Sequence, residues 1–174
     1  ECAPHPSTHQ YTKEAMERTH RWAIRCLKYH HSTSEESLRD APSGASLRNT
    51  SEVTRQRPRL LRGGLRQSLY GIIQGGVYKD LREESAKFIA SLPFDGIAIG
   101  GVSVGESKKQ MRDALDLSIP FLPENKPRHM LGIGEIDDIF DSIERGIDTM
   151  DCVIPTRMGR YGFVFVSPPE GNRK

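Results

Sequence analysis

The chain has 174 residues, of which 36% are hydrophobic and 28% are charged, and its formal net charge is +2 at pH 7. A chain of this length and composition can bury one core, which favours one domain, or part of one, over two domains. The small net charge excludes a global field that would select a polyanion, so any nucleic-acid contact must come from local clusters of charge.

The cysteines Cys2, Cys26 and Cys152 are odd in number and lack a C-x-x-C spacing, which argues against a disulfide framework and a complete cysteine-based zinc site. A reducing cytoplasm fits this pattern. No apolar run approaches the roughly 20 residues of a membrane span, and the amino end lacks an export signal. We therefore expect a cytoplasmic protein without a membrane partner. Because the chain starts at Glu1 rather than methionine, we also expect a fragment.

The first predicted element is a helix from Thr8 to His30, because apolar residues such as Met16 and Leu27 recur at helical spacing. We assign residues 1–31 to this barrel helix and the loop before it. Cys26 and His30 lie one helical turn apart and could form half of a metal site, but other ligands are missing from the pattern.

Residues 32–66 lose all periodicity and read as an irregular basic insert or linker. Its second half, 54–66, holds five arginines and no acid. Such a cluster could serve as an electrostatic arm for RNA phosphates, since each guanidinium offers a planar fork of donors. On composition alone, a disordered spacer is the favoured alternative.

From residue 67 to 174 apolar runs alternate with helical patterns, as expected for parallel strands joined by crossover helices. We predict strands at 68–76, 96–101, 129–134 and 148–155, and helices at 80–92, 108–122 and 135–146. The strands are continuous apolar runs, which indicates burial on both faces. A (β/α)8 TIM barrel has eight such units and roughly 250 residues. The fold class is therefore α/β, a partial TIM barrel comprising roughly the carboxyl-terminal half.

Glycines and polar residues stand at the carboxyl ends of these strands, where barrel active sites form. The residues concerned are Gln74, Gly75, Gly76, Gly100, Gly101, Gly132, Gly134 and Asp151. The glycine pairs could form a flat slot for a planar molecule, with the donor and acceptor of the glutamine on the edge of a nucleobase; ordinary βα turns are the alternative. The segment Gly132-Ile133-Gly134 could instead cradle a phosphate, although Asp137 replaces the third glycine of a G-x-G-x-x-G motif.

Asp151 is the sharpest chemical candidate, since a carboxylate at a strand end can attack an anomeric carbon and form a covalent glycosyl intermediate. A helix N-cap or turn acid is the alternative. Arg157 and Arg160 could hold a polyanionic substrate beside that carboxylate, or could belong to a solvated surface loop.

Several long motifs then occur together in one order: E-C-A-P-H-P-S-T-H, L-Y-G-I-I-Q-G-G-V-Y, D-G-I-A-I-G-G-V-S-V-G-E, K-P-R-H-M-L-G-I-G and D-T-M-D-C-V-I-P-T-R-M-G-R. In this combination the chain closely resembles bacterial tRNA-guanine transglycosylase, the queuine tRNA-ribosyltransferase family. Members are (β/α) barrels that exchange guanine at the wobble position of tRNAs with a GUN anticodon for a 7-deazaguanine, as a step toward queuosine.

The resemblance implies a role for individual residues. Asp151 matches the nucleophile that attacks the ribose C1′, and an extruded base fits such a site. The base-binding positions are matched by Gln74, Gly101, Val102, Cys2, Val104 and Leu131. The positions that contact the tRNA anticodon loop are matched by Arg157, Arg160 and Thr156. Cys2 and Val104 favour pre-queuosine-1 base (preQ1) over queuine, and Leu131 replaces a methionine found in many members.

The resemblance also implies features that lie outside these residues. Members carry a base-binding Asp before the position of Glu1, an S-D-S-G-G-F-Q-type segment with the general acid, and a zinc site of three cysteines and one histidine. The full-length protein is thus expected to bind Zn²⁺ and form a homodimer, with no metal ligands in this chain, which alone is expected to be incomplete for catalysis. Two other functions stay open: a non-catalytic tRNA-binding half or subunit-like partner, and a phosphate-sugar TIM-barrel enzyme.

Overall fold

In the computed structural model the described residues are 3, 6–39, 67–102 and 105–166, with the backbone alone described for 31–39. The helices are α1 (His9–Arg39), α2 (Lys79–Ala90), α3 (Lys108–Ser118), α4 (Ile136–Glu144) and α5 (Ile154–Arg160), with a 3₁₀ turn at Ile119–Phe121. The strands are β1 (Tyr70–Ile73), β2 (Gly96–Ile99), β3 (Arg128–Met130) and β4 (Thr149–Met150).

The four strands form one parallel sheet in the order β1-β2-β3-β4, so each strand pairs with the next along the chain. Tyr70 lies opposite Gly96, and His129 lies opposite Thr149. The helices α2, α3 and α4 make the crossovers, which confirms the predicted alternation of parallel strands and helices. All carboxyl ends of the strands consequently share one edge, where the candidate site is found.

The core lies where β1 to β3 pack against α2 and α3, with α1 covering α2 and β1. Its largest fully buried apolar side chains are Met16, Ile73, Leu81, Ile89, Ile97, Ile99, Leu115 and Met130. All four residues of β2 are buried, as its continuous apolar run predicts for a central parallel strand. The same prediction is wrong for β1, β3 and β4, each of which has partly or fully exposed residues. Helix α3 begins with a capping box between Ser107 and Gln110, which fixes its entry from the loop after β2.

Several predicted boundaries are wrong: the strands predicted at 68–76 and 129–134 end at Ile73 and Met130, the helix predicted at 108–122 ends at Ser118, and two further differences bear on the site. Helix α1 continues past His30 to Arg39, so the start of the segment assigned to an irregular insert is helical. The strand predicted at 148–155 stops at Met150, and α5 begins at Ile154. Pro155 sits in the first turn of α5, where its missing N–H costs nothing and its fixed φ suits a helix.

The arginine-rich stretch 54–66 lies outside the described residues, so its interpretation as an RNA arm or a spacer stays a prediction. Within the part of the chain that the structure describes, no helix combines the length and the apolar character needed to cross a membrane.

Candidate active site at the carboxyl ends of the strands

Asp151 follows β4 directly and lies at the edge of the sheet where all four strands end. Its side chain is 56% exposed and its backbone N–H points to the carbonyl oxygen of Met130 at 3.4 Å. The carboxylate oxygen Oδ1 accepts the backbone N–H of Gly132 at 2.9 Å. The carboxylate is therefore fixed at one oxygen and open to solvent, and it does not cap a helix, since α5 has no side-chain cap.

Gly132 provides this donor through an unusual backbone conformation. Its φ is +71°, in the left-handed region that favours glycine. Glycine is required at the nearby position 134 for a different reason: a Cβ atom on Gly134 would lie 2.4 Å from Cβ of Cys152. The two glycines thus bring the loop after β3 against the residues that follow β4.

His129 is a second partner of Asp151, and sequence reasoning missed it among the scattered histidines. Its Nε2 lies 3.2 Å from Oδ1 of Asp151 and its Nδ1 lies 2.8 Å from Oγ1 of Thr149. The strand register explains this contact, since His129 pairs with Thr149 and side chains two apart on a strand share a face. The sequence offered one signal for this contact, because His129 and Thr149 both stand near the start of a predicted strand. That signal becomes informative only when the register between the two strands is known.

At the same edge of the sheet, the segments that follow β1 and β2 carry the residues predicted to form the base slot. Gln74, just after β1, is 5% exposed, and a Cβ atom on Gly100 would lie 3.1 Å from its amide Nε2. Gly101 has a φ of +67°, and Val102 is 2% exposed. The structure therefore brings together three of the predicted base-binding residues, Gln74, Gly101 and Val102.

Arg82 of α2 braces this slot and is the second residue that sequence reasoning missed. It is fully buried, with Nε donating to the carbonyl of Gly76 at 2.7 Å, Nη1 to that of Gly100 and Nη2 to that of Gly101, both at 2.8 Å. One rigid guanidinium thus joins the loops after β1 and β2. A charged residue on a predicted amphipathic helix is normally expected on the side that faces solvent. The sequence therefore carried no signal for the buried role of Arg82.

The backbone of Gln74 is held from the other direction by Ser85 and His20. The Gln74 N–H donates to Oγ of Ser85 at 3.1 Å, and Nε2 of His20 lies 3.1 Å from the same oxygen. The His20 ring stacks on Phe88 at 4.2 Å between centroids. Burial lowers the pKa of His20 below its ordinary 6.5, and the nearby Glu17 opposes that shift.

The glycine pair after β1 is required by packing. Gly75 has a φ of +127°, and a Cβ atom there would lie 2.8 Å from the backbone nitrogen of Arg82. Gly76 has a φ of +56° and carries the carbonyl that Arg82 binds. This pair lets α2 approach the strand end closely, and it supports the slot indirectly through Arg82.

Arg157, Arg160 and Thr156 lie on the short helix α5, and all three are exposed. The hydroxyl of Thr156 donates to the carbonyl of Val153 at 3.0 Å. Both arginines therefore follow Asp151 on one short helix rather than in a loop, and the alternative that they belong to a solvated surface stays open because both are exposed.

The remaining predicted site residues divide into two sets. Leu131 is partly buried, and its N–H donates to the carbonyl of Ile99 at 3.3 Å, which places it between β2 and the Asp151 side of the edge. Cys2 and Val104 lie outside the described residues. Among the described residues no group of three or more His, Cys, Asp or Glu could hold a metal ion, and that part of the chain supplies no third ligand beside Cys26 and His30.

The phosphate cradle predicted at Gly132 to Gly134 is not supported by the geometry. The N–H of Gly132 already binds the carboxylate of Asp151. The adjacent amino end of α4 carries Glu135, Asp137 and Asp138, and Lys108 pairs with the first and the last of them at 2.6 and 3.3 Å. Three carboxylates and one ammonium group leave a net negative charge that disfavours a bound phosphate. The loop after β3 instead binds the candidate nucleophile, through the N–H of Gly132.

Comparison with known proteins gives one consistent result. The sequence profile of the family described as queuine tRNA-ribosyltransferase matches residues 1–173. The queuine tRNA-ribosyltransferase of Herpetosiphon aurantiacus is 46% identical over 171 residues, which are 98% of this chain and 35% of that protein. That of Roseiflexus sp. is 42% identical, covering 98% of this chain and 37% of that protein.

A relative from an archaeon, the putative queuine tRNA-ribosyltransferase of Archaeoglobus fulgidus, is 43% identical over 98% of this chain and 34% of its own length. The chain thus spans about a third of the length of the curated relatives that it matches. With a family match over nearly every residue, the chain belongs to the queuine tRNA-ribosyltransferase family.

Proposed function

We propose that the full-length protein carrying this chain is a tRNA-guanine transglycosylase, which exchanges the wobble guanine of tRNAs with a GUN anticodon for preQ1. The observation that carries this proposal is the position of Asp151: its carboxylate is anchored at Oδ1 and exposed, at the same sheet edge as a slot that contains Gln74. Family membership supplies the reaction class.

In this proposal the extruded guanine enters the slot formed by Gln74, Gly101 and Val102. The amide of Gln74 offers a donor and an acceptor to the base edge, and peptide groups at Gly101 and Val102 offer the same chemistry from the backbone. Leu131 packs on the base, and Cys2 and Val104 lie near the substituent that distinguishes preQ1 from queuine. Arg82 fixes the backbone of the slot by donating hydrogen bonds to the carbonyls of Gly100 and Gly101.

Asp151 then acts as the nucleophile. A carboxylate oxygen forms a bond to C1′ of the ribose while the C1′–N9 bond breaks, and its electron pair leaves with the guanine, which takes up a proton. The incoming base then attacks C1′ through a ring nitrogen and gives the proton of that nitrogen back to the residue that protonated guanine, while the bond between C1′ and Asp151 breaks to restore the carboxylate. The proton donor is the acid of the S-D-S-G-G-F-Q-type segment, which these 174 residues do not contain.

Arg157, Arg160 and Thr156 hold the anticodon loop in this scheme. Both arginines are exposed on α5, and guanidinium groups bind phosphate oxygens as bidentate forks. We further propose that the four parallel strands belong to a (β/α)8 barrel, and that the full-length protein is a cytoplasmic homodimer that binds zinc through residues outside this chain.

The test uses the full-length protein and tRNA labelled at the wobble guanine. The wild type should release label when preQ1 is added, and Asp151→Asn should release none, because an amide cannot form the glycosyl ester. Glu144→Gln, on an exposed carboxylate at the end of α4, is the matched control and should exchange normally. Release by Asp151→Asn at the wild-type rate would refute the assignment. A wild type that binds tRNA without exchange would favour a non-catalytic binding partner.

A further inference from the structure

We propose that His129 and Thr149 are positioning residues that hold Oδ1 of Asp151 and leave Oδ2 as the attacking oxygen. This inference rests on the proposed function, because it refines how Asp151 serves as the nucleophile. It concerns two side chains that the family resemblance did not single out.

The contacts form a short chain across the ends of β3 and β4. Oγ1 of Thr149 lies 2.8 Å from Nδ1 of His129, and Nε2 of the same ring lies 3.2 Å from Oδ1 of Asp151. Because His129 pairs directly with Thr149 in the sheet, the backbone ladder itself sets this alignment. The imidazole is 23% exposed, so most of the ring is packed against protein.

The chemistry of the three groups assigns the direction of each hydrogen bond. An ionised carboxylate only accepts, so the ring must carry its proton on Nε2 to bind Oδ1. The Nδ1 of a neutral ring then accepts, and the hydroxyl of Thr149 donates to it. Thr149 thereby selects the tautomer that can orient Asp151, as second partners of catalytic histidines commonly do.

The result is an asymmetric carboxylate. Oδ1 receives two N–H donors, one from His129 and one from the backbone of Gly132 at 2.9 Å. Among the residues that the structure describes, Oδ2 has no hydrogen-bond partner, and the side chain is 56% exposed. Oδ2 therefore keeps its lone pairs free for the bond to C1′, while rotation of the carboxylate is restrained by the two contacts at Oδ1.

Such restraint acts on the chemical step. A nucleophile held in its attack geometry reacts faster without binding the substrate more tightly, and a misplacement of about 1 Å can cost about 10²-fold in rate. The predicted signature is thus a change in kcat with KM for tRNA almost unchanged.

The experiment compares four variants of the full-length protein in the guanine-exchange assay. His129→Leu should lower kcat by about 10²-fold, and His129→Gln, whose amide nitrogen can replace Nε2 as a donor, should recover most of the loss. Thr149→Val should lower kcat by about fivefold, the equivalent of one hydrogen bond of about 1 kcal/mol, and Thr149→Ser should restore it. KM for tRNA should stay within about twofold throughout, since none of these groups is expected to bind the substrate.

The outcomes separate this inference from the proposed function. If Asp151→Asn is inactive while His129→Leu and Thr149→Val keep the wild-type kcat, the positioning role is refuted and the nucleophile assignment stands. If Asp151→Asn remains active, the proposed function itself fails. Should His129→Leu not fold, the thermal midpoint will show it, and the pair Thr149→Val and Thr149→Ser decides the question. Equal losses in kcat for valine and serine at position 149 would also overturn the proposal.

Discussion

Nη1 of Arg82 lies 2.8 Å from the carbonyl oxygen of Gly100, so a helix that follows β1 directly holds the backbone that follows β2. The same guanidinium binds Gly76 and Gly101, and it is fully buried. This contact makes Arg82 a structural centre of the candidate base slot, although nothing in its sequence context distinguishes it from a surface arginine.

Replacing Arg82 with Gln should destabilise the full-length protein strongly. The variant leaves at least two buried carbonyl groups without their donors, at about 1–3 kcal/mol each. We expect a loss of about 2–6 kcal/mol, the sum for two such carbonyl groups. Urea unfolding measures the change. Arg21→Gln, on the exposed face of α1, is the matched control and should stay within about 0.5 kcal/mol of wild type; equal effects at both sites would contradict the role of Arg82.

Gly100→Ala should weaken base binding through Gln74. The added Cβ would lie 2.8 Å from Ile72 and 3.1 Å from Nε2 of Gln74, so the amide must move away from its present position. We expect a rise in KM for preQ1 that exceeds any change in KM for tRNA. Gly159→Ala provides the control, because a Cβ there meets nothing within 4 Å and alanine favours the helix by roughly 0.5–1 kcal/mol. A normal KM for preQ1 in Gly100→Ala would remove Gln74 from the slot.

Arg157→Gln and Arg160→Gln should weaken tRNA binding in a salt-dependent way. If each guanidinium neutralises one phosphate of a single-stranded loop, each variant reduces the slope of log K against log salt by about 0.7. Filter binding at several salt concentrations measures this slope. Arg21→Gln, which removes the same charge from α1, should leave the slope unchanged. A uniform effect of all three variants would indicate non-specific attraction instead of a contact by α5.

His20 predicts a pH dependence of stability. Burial lowers its pKa in the folded protein below the ordinary 6.5, so between these two values the unfolded chain binds the proton and the folded protein does not. Stability should therefore be complete above about pH 6.5 and fall as the pH decreases, by at most about 1.4 kcal/mol per pH unit. The loss levels off below the folded pKa.

The check compares urea unfolding of the wild type and His20→Gln between pH 7.5 and 5.5. Glutamine can still donate to Ser85 but does not titrate, so the other ionisable groups cancel in the difference between the two proteins. The wild type should lose more stability than the variant on acidification. Parallel curves would show that burial of His20 imposes no cost on its protonation.

The alternation of strands and helices could be predicted from the sequence for two reasons. A buried parallel strand such as β2 is a continuous apolar run, and in each helix the apolar residues recur at helical spacing. It also placed Asp151, Gln74 and Gly101 at one edge, since parallel strands end together. The end of β4 was missed because Val153 and Ile154 extend an apolar run, although Val153 is 51% exposed and Ile154 is already the first residue of α5, with Pro155 in its first turn.

The partners of the site residues could not be predicted, for two physical reasons. The contact between His129 and Thr149 depends on strand register, which is fixed by packing between units and is absent from either local pattern. The buried position of Arg82 depends on a guanidinium finding three carbonyls at once, and those carbonyls converge only after two loops have adopted their turns. The sequence locates candidate residues, whereas their neighbours come from tertiary structure.

The sequential order of the sheet also has a kinetic consequence. Every strand pairs with its neighbour in the chain, so the sheet can grow by adding one βα unit at a time, and each pairing closes a shorter loop than a pairing between non-neighbouring strands would. Gln74 and the loop after β2 meet in the first pairing, whereas Asp151 reaches Gly132 and His129 only when β4 joins β3. Along such a folding route the candidate base slot and the contacts of Asp151 form in separate pairing steps of this sheet.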